Sequence, residues 1–249
     1  MEGSSASVGS AVSAEEARRA PTEPRQRWRL TFRRRPDAPP LAQRDQTAAW
    51  EAALLGSGLP LVGTELPAPR PRLAFAAPLS LGMPAEAELV ELLLYERLPV
   101  AEVRARLARS LPAGHDLVDI VDVWLGEPAV AGQLAAADYL VQLRRTDRAP
   151  DPGRLDSAIA QVLAASSLRR TREKGDRTVE YDLRPLLVGI DRDPVVDGRP
   201  LALRIRTRFD PERGVGRPEE VLGALADHLG APLEASTIIR ERLLLADEL

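Results

Sequence analysis

Hydrophobic and polar residues alternate along several short segments of the chain, which is the pattern of strands with one buried face. In residues 201–209 the apolar side chains fall on one side of the segment and three arginines on the other. These arginines are Arg204, Arg206 and Arg208. Residues 27–32 alternate in the same way, so both segments are predicted to be strands that carry arginine on an open face.

Apolar residues at helical spacing separate the predicted strands. Helices are predicted over residues 43–55, 100–111, 154–168 and 219–229. Strands are predicted over residues 27–32, 72–79, 86–96, 117–125, 136–144, 177–187, 201–209 and 236–245. Residues 86–96 have the propensity of a helix, but a turn at residues 82–84 favours a hairpin and therefore a strand.

The order βαββαβ occurs twice, which predicts an α+β protein of two tandem ferredoxin-like units with antiparallel sheets. Each unit would have two helices on one face of its sheet and leave the other face free. The 249 residues suit two domains of roughly 100 residues each. We expect a disordered tail over residues 1–24, domains over 25–126 and 133–249, and a joint between them.

The amino-acid composition of the chain excludes several classes of function. The absence of cysteine excludes disulfides, thiolate nucleophiles and cysteine-held metal clusters. With 34 basic and 37 acidic residues, the chain does not bind nucleic acid by bulk charge, so any such site is a local patch. No signal peptide or long uncharged apolar run is recognisable, which predicts a cytoplasmic protein that does not contact a membrane.

The arginine row of residues 201–209 has two interpretations. It could grip RNA phosphates on an open sheet face. Alternatively, Glu180 and Asp182 of the strand predicted over residues 177–187 could lie beside it in a hairpin and neutralise it, which we favour. The cluster Arg33-Arg34-Arg35 has no acidic row nearby in the sequence and is the better candidate for an anion contact.

No residue pattern predicts a catalytic centre, a metal site or a cofactor. The two histidines, His115 and His228, are far apart in the sequence and support neither a metal site nor a Ser-His-Asp arrangement. Gly214-Val215-Gly216 precedes a helix that opens with Pro218, Glu219 and Glu220. Because these glutamates would repel phosphate, the segment is predicted to be a tight turn and not a nucleotide loop.

Several motifs together carry a resemblance to a known family. They are Lys174-Gly175, DLRPL at residues 182–186, Gly198-Arg199 and GRPEEVL at residues 216–222, with PRLAFAAPL at residues 71–79 in the first half. The chain resembles, from about residue 26 to residue 245, the bacterial radical-SAM-linked (radical SAM-associated) protein family, a domain of unknown function.

The resemblance implies an RNA or translation setting, because members are fused to or encoded beside a radical SAM enzyme, often near a ribonuclease of the E/G type. Members usually have histidines where this chain has Leu41-Ala42-Gln43-Arg44-Asp45 and Ala68-Pro69-Arg70-Pro71. If those histidines carry chemistry in relatives, this member has only a binding role. Arg70 and Arg72 of the second segment would then contribute charge.

The leading hypothesis is a non-catalytic accessory protein that binds RNA or a ribonucleoprotein through five arginines. These are Arg33, Arg34, Arg35, Arg70 and Arg72. A radical SAM enzyme encoded separately is the implied partner, since a chain without cysteine cannot hold the cluster itself. The alternatives are a tandem-ferredoxin endoribonuclease or RNA-modifying enzyme, and a module that only docks to a protein.

Overall fold

The computed structural model describes residues 23–63, 70–144, 151–174, 177–196 and 200–249, so residues 1–22 of the predicted tail lie outside it. The helices are α1 (Gln43–Leu55), α2 (Val100–Leu107), α3 (Val130–Gln133), α4 (Pro152–Ala164) and α5 (Pro218–Leu229). The strands are β1 (Gln26–Arg34), β2 (Leu73–Phe75), β3 (Ala85–Leu94), β4 (His115–Val123), β5 (Leu134–Leu143), β6 (Arg169–Lys174), β7 (Arg177–Asp182), β8 (Leu187–Arg192), β9 (Ala202–Asp210), β10 (Gly214–Val215) and β11 (Ala235–Leu245). The fold is therefore mixed α+β.

A single large sheet replaces the two predicted sheets. Nine strands form it in the order β10-β9-β5-β11-β3-β1-β4, with β2 beside β3 and β8 beside β9, while β6 and β7 pair separately. Neighbouring strands within this sheet are antiparallel, with the exception of β11 and β3. These two strands run parallel and pair at Arg240 and Ala85. The predicted separation of two sheets was wrong because this pair continues the hydrogen-bonded order from one half into the other.

Both halves arrange their strands in the same way. In the first half β1 lies between β4 and β3, with β2 on the far side of β3. In the second half β5 lies between β11 and β9, with β8 on the far side of β9. Apart from the additional strands β6, β7 and β10 of the second half, the chain therefore follows an equivalent βαββαβ path through each half.

Two apolar cores lie between the sheet and the helices. In the first half, Trp50 of α1 and Val103 of α2 pack with Leu30 and Phe32 of β1. In the second half, α4 and α5 pack over β5, whose Val141 is fully buried. Because side chains alternate along a strand, Arg27, Arg29 and Arg33 of β1 and the arginines of β9 project from the other face of the sheet.

The segment predicted as one strand over residues 177–187 is a strand, a turn and the start of another strand. The Asp182 carboxylate accepts hydrogen bonds from the backbone N–H groups of Leu168, at 2.7 Å, and Arg184, at 2.9 Å. The chain then turns through a short 3₁₀ helix at Arg184–Leu186. β7 pairs with β6, which was not predicted, and β8 pairs with β9 in its place.

Candidate nucleic-acid interface

Arg204 and Arg206, two of the three arginines in the row of β9, pair with carboxylates on the open face of the sheet, but not with the predicted ones. Arg204 pairs with Asp193 at 2.9 Å and with Glu241 at 2.7 Å, and Arg206 pairs with Asp138 at 2.6 Å. Glu180 and Asp182 belong to the hairpin of β6 and β7. Pairing with them was a wrong prediction, because alternation along a strand does not identify the neighbouring strand.

Asp138 links this row to β11. Its carboxylate also accepts a hydrogen bond from Arg242 at 2.9 Å. Burial by itself would raise the pKa of Asp138, but the hydrogen bonds from Arg206 and Arg242 outweigh it and hold that pKa below its ordinary value. The carboxylate therefore stays ionised, and charges of both signs balance over this part of the sheet.

The cluster Arg33-Arg34-Arg35 is divided between the surface and the interior. Arg33 pairs with Glu86 at 2.7 Å, and Arg35 pairs with Asp37 at 3.0 Å and Asp116 at 2.9 Å. The expected lack of acidic neighbours was therefore wrong, since Glu86 and Asp116 come from other strands and Asp37 lies two residues after Arg35. Arg34 is 4% exposed, and its guanidinium donates to the backbone carbonyls of Met83 and Pro39. That guanidinium is not accessible to a phosphate.

Arg70 and Arg72 lie at the surface beside the first half of the sheet. Arg70 is 3.8 Å from Glu51 of α1 and remains largely exposed. Arg72 comes directly before β2, and its backbone N–H donates to Val62 at 2.9 Å. Its exposed guanidinium makes no ion pair or hydrogen bond within the described ranges. Arg72 also borders a cleft.

A buried charge network fixes the segment between β4 and β5 against the open face of the first half. Arg27 and Arg29 of β1 both bind the carboxylate of Glu91 on β3, which is 4% exposed. Arg27 also donates to the Glu127 carbonyl at 2.6 Å, and Arg29 binds the Glu127 carboxylate at 2.9 Å. The charges of these two arginines are thus engaged inside the protein.

Gln133 completes the network from α3. Its amide nitrogen donates to the Glu127 carboxylate at 3.1 Å and to the Pro128 carbonyl at 2.6 Å. The hydrogen bonds from Gln133 and Arg29, in that order of importance, lower the pKa of Glu127. The segment at residues 124–133 is therefore held in a defined position on the sheet.

The cleft between this segment and the sheet, which we call the joint cleft, has a volume of about 380 Å³. Its walls are mainly apolar and come from β2, β3 and the segment after β4. The apolar residues are Pro24, Leu73, Ala74, Leu93, Leu125 and Ala129. Arg27, Arg72, Glu91 and Glu127 are its charged residues. A cleft of this volume is in the range of small-ligand sites, which are roughly 300–1,000 Å³.

Trp124 stands beside the joint cleft with 77% of its surface exposed. Its ring lies over Gly126, where a Cβ atom would come within 2.5 Å of two ring carbons. Gly126 is flanked by the cleft residues Leu125 and Glu127. The indole ring therefore packs on the backbone of Gly126, and Trp124 directly precedes the cleft residue Leu125 in the chain.

The combination of Arg72, the apolar walls and Trp124 fits the chemistry of single-stranded nucleic acid. Bases stack on aromatic rings irrespective of sequence, and guanidinium groups bind phosphate. Trp124 was not predicted as a site residue, because the sequence analysis placed residues 117–125 in one strand. The available signal was a Trp-Leu pair directly before Gly126 at the expected joint.

Other kinds of site find little support. No group of three or more histidine and acidic residues that could hold a metal ion occurs in the described part of the chain. Among the helices of the same residues, none is long and apolar enough to cross a membrane. The exposed arginine, the apolar cleft and the tryptophan thus define a candidate binding protein with an open sheet face.

A comparison with known protein families identifies the family to which the chain belongs. Residues 27–213 match the model of the family described as "Uncharacterized protein conserved in bacteria (DUF2344)". The protein belongs to this family. No curated protein matches the sequence.

A structural comparison finds partial similarity to two solved structures. The "Crystal Structure of a Cbf5-Nop10-Gar1 Complex" gives a TM-score of 0.47 at 10% identity, over 86% of this chain and 49% of that chain. The "Crystal structure of the archaeal box H/ACA sRNP Nop10-Cbf5 complex" gives a TM-score of 0.43 at 11% identity, over 86% of this chain and 46% of that chain. The chain therefore spans about half the length of the structures that it matches.

Proposed function

We propose that this protein is a non-catalytic accessory protein that binds single-stranded RNA in the joint cleft. One observation carries the proposal: Trp124, 77% exposed and packed on Gly126, directly precedes Leu125 of an apolar cleft that Arg72 borders. A base would stack on Trp124 or enter the apolar part of the cleft, and the adjoining phosphate would contact Arg72.

The engaged charges of the network support a role for Arg72 as the contact to phosphate. Glu91 is bound by Arg27 and Arg29, so its carboxylate does not oppose an incoming phosphate as an isolated charge would. Arg33, Arg35 and Arg70 remain proposed contacts for a longer RNA, each in competition with a carboxylate nearby. Such contacts make binding dependent on salt concentration.

Fluorescence anisotropy with a short labelled single-stranded RNA tests the proposal. Replacing Trp124→Ala is expected to weaken binding by roughly 5- to 100-fold, because stacking on an aromatic side chain contributes about 1–3 kcal/mol per base. Arg72→Gln is expected to weaken binding and to reduce the slope of log affinity against log salt by about 0.7, the value for one phosphate on a single strand.

Arg44→Gln is the matched control, since Arg44 is an exposed arginine on α1, on the other face of the sheet. It should leave RNA binding unchanged. Absence of saturable RNA binding at low salt would contradict the proposal, as would equal binding by the wild type and Trp124→Ala. Capture of a protein partner without RNA would favour the docking alternative.

We further propose that each half is a ferredoxin-like unit, with domains over residues 25–126 and 133–249. The equivalent βαββαβ path and strand order of the two halves support this division. A separately encoded radical SAM enzyme remains a proposed partner that rests on the sequence resemblance alone. Co-purification from the native cell, with and without ribonuclease treatment, would test that association.

A further inference from the structure

The hairpin of β6 and β7 packs an arginine-rich face against α5 in the second half. Arg170 lies opposite Tyr181 in the antiparallel pair, so both side chains project from the same face. Arg170 pairs with Asp227 of α5 at 2.7 Å, which fixes the orientation of this face. Arg172 follows on the same face, with its guanidinium carbon 4.7 Å from the centre of the Tyr181 ring.

Strand β10 and the first turn of α5 complete the surroundings of this face. Gly214 has a φ of +97°, and a Cβ at this position would lie 3.2 Å from Nη2 of Arg172. Only glycine adopts this backbone conformation without strain and leaves room for the guanidinium. Glu220, in the first turn of α5, interacts electrostatically with both Arg170 and Arg172.

Several polar atoms in this cluster have unused hydrogen-bonding capacity. Nε of Arg170, the hydroxyl of Tyr181 and Oε2 of Glu220 are each buried without a hydrogen-bond partner. Within the described residues, Arg172 makes no ion pair or hydrogen bond, and its guanidinium lies over the Tyr181 ring. Buried polar atoms are nearly always paired in folded proteins, so a cluster of unpaired ones points to a ligand.

We propose that Arg170, Arg172 and Tyr181 form a binding site for a phosphate group, which we call the hairpin site. Arg170 and Arg172 offer guanidinium N–H donors and Tyr181 a phenol O–H donor on the same face of the hairpin, and a tetrahedral oxyanion offers acceptors to all three side chains. Glu220 reduces the repulsion between the two guanidinium groups and opposes an anion when it is ionised. Burial raises the pKa of the Glu220 carboxyl, which weakens that opposition.

The hairpin site goes beyond the proposed RNA contact at the joint cleft, because it is formed by other elements of the chain. Titration of the full-length protein with inorganic phosphate at constant ionic strength, followed by calorimetry, tests it. Saturable binding is expected in the wild type. Arg172→Gln is expected to weaken binding by roughly tenfold or more, since hydrogen bonds to charged groups contribute about 1.5–3 kcal/mol.

Two variants distinguish a built site from general positive charge. Arg169→Gln removes an exposed arginine of the same strand, directed away from the cluster by strand alternation, and should bind phosphate like the wild type. Glu220→Gln removes the opposing carboxylate and should bind phosphate more tightly. Joint-cleft variants such as Trp124→Ala should have no effect, so failure of one proposal leaves the other testable.

Absence of saturable phosphate binding would overturn the hairpin site. Equal weakening by Arg169→Gln and Arg172→Gln would overturn it as well, because it would indicate an adventitious ion only. Circular dichroism establishes that each variant is folded. If Arg172→Gln does not fold, Tyr181→Phe removes a single hydroxyl and should still weaken binding, whereas wild-type affinity in Tyr181→Phe would contradict the site.

Discussion

His115 is a buried histidine at the start of β4, with 8% of its surface exposed. Its ring lies 5.7 Å, between centroids, from both Phe32 and Trp50. Nδ1 donates to the Ala113 carbonyl at 3.1 Å, while Nε2 is buried without a partner. Burial lowers the pKa of His115, with a smaller contribution from the charge of Arg34.

This lowered pKa predicts a loss of stability in mild acid. The unfolded chain takes up a proton near its ordinary pKa of about 6.5, whereas the folded protein does so only at lower pH. Between these values the unfolded state binds more protons, so the free energy of unfolding should fall as the pH decreases below about 6.5. Replacing His115→Phe keeps an aromatic ring and should reduce that decrease.

Urea unfolding of the wild type and His115→Phe at neutral and mildly acidic pH provides the measurement. All carboxylates and His228 are present in both proteins, so the difference between the two pH profiles isolates His115. Identical pH profiles would show that His115 titrates equally in the folded and unfolded states, contrary to the expectation.

Among the properties of single residues, the hydrogen-bond partners of the arginine side chains were the hardest to predict from the sequence. Arg33, Arg34 and Arg35 are adjacent and chemically identical, yet the guanidinium of Arg34 is enclosed by the carbonyls of Met83, Ala38 and Pro39. These acceptors are backbone atoms, and Met83 is distant in the sequence. No residue pattern along the chain identifies backbone carbonyls as partners.

Strand alternation is local, and the elements that depend on it were predictable. The strand over residues 86–96 was confirmed as β3, although its residues have helical propensity, because pairing with β1 outweighs that preference. The helix over residues 43–55 was confirmed with the same bounds as α1. The buried face of a strand or helix follows from the order of apolar and polar residues along that segment. It can therefore be predicted without knowing which element packs beside it.

Strand neighbours and the hairpin of β6 and β7 could not be derived in this way. β6 reads Arg-Arg-Thr-Arg-Glu-Lys and contains no apolar residue, so its sequence lacks the alternation of a half-buried strand. It becomes a strand because its backbone pairs with β7 and because Arg170, on the face shared with Arg172, pairs with Asp227 of α5. The joint cleft likewise depends on the segment after β4 folding back onto β1, through the pairs of Arg27, Arg29 and Glu91.

The two halves are joined by more than one backbone contact. Arg240 of β11 binds the carboxylate of Glu88 on β3, with Nε 2.6 Å from Oε1, and both residues are 3% exposed. The backbone N–H of Arg240 donates to Pro84 at 3.1 Å. Residues from the loop before β3, such as Leu79 and Met83, belong to the core of the second half. The halves therefore share both a sheet and a core.

Glu88→Gln should consequently destabilise the whole protein, because it leaves the Arg240 charge buried without a counterion. We expect the free energy of unfolding to fall by about 3 kcal/mol or more, measured by urea denaturation. Glu86→Gln on the same strand is the control, since the exposed pair with Arg33 contributes less than about 1 kcal/mol. Similar losses in the two variants would contradict a structural role for the buried pair.

The location of RNA on the whole molecule is the central claim, and photo-crosslinking tests it most directly. A single-stranded RNA containing 4-thiouridine would be irradiated with the full-length protein, and the modified residues identified by mass spectrometry. The account predicts adducts at Trp124 and in the segment from Arg72 to Ala74, which border the joint cleft. Adducts confined to the second half, with these segments unmodified, would contradict it.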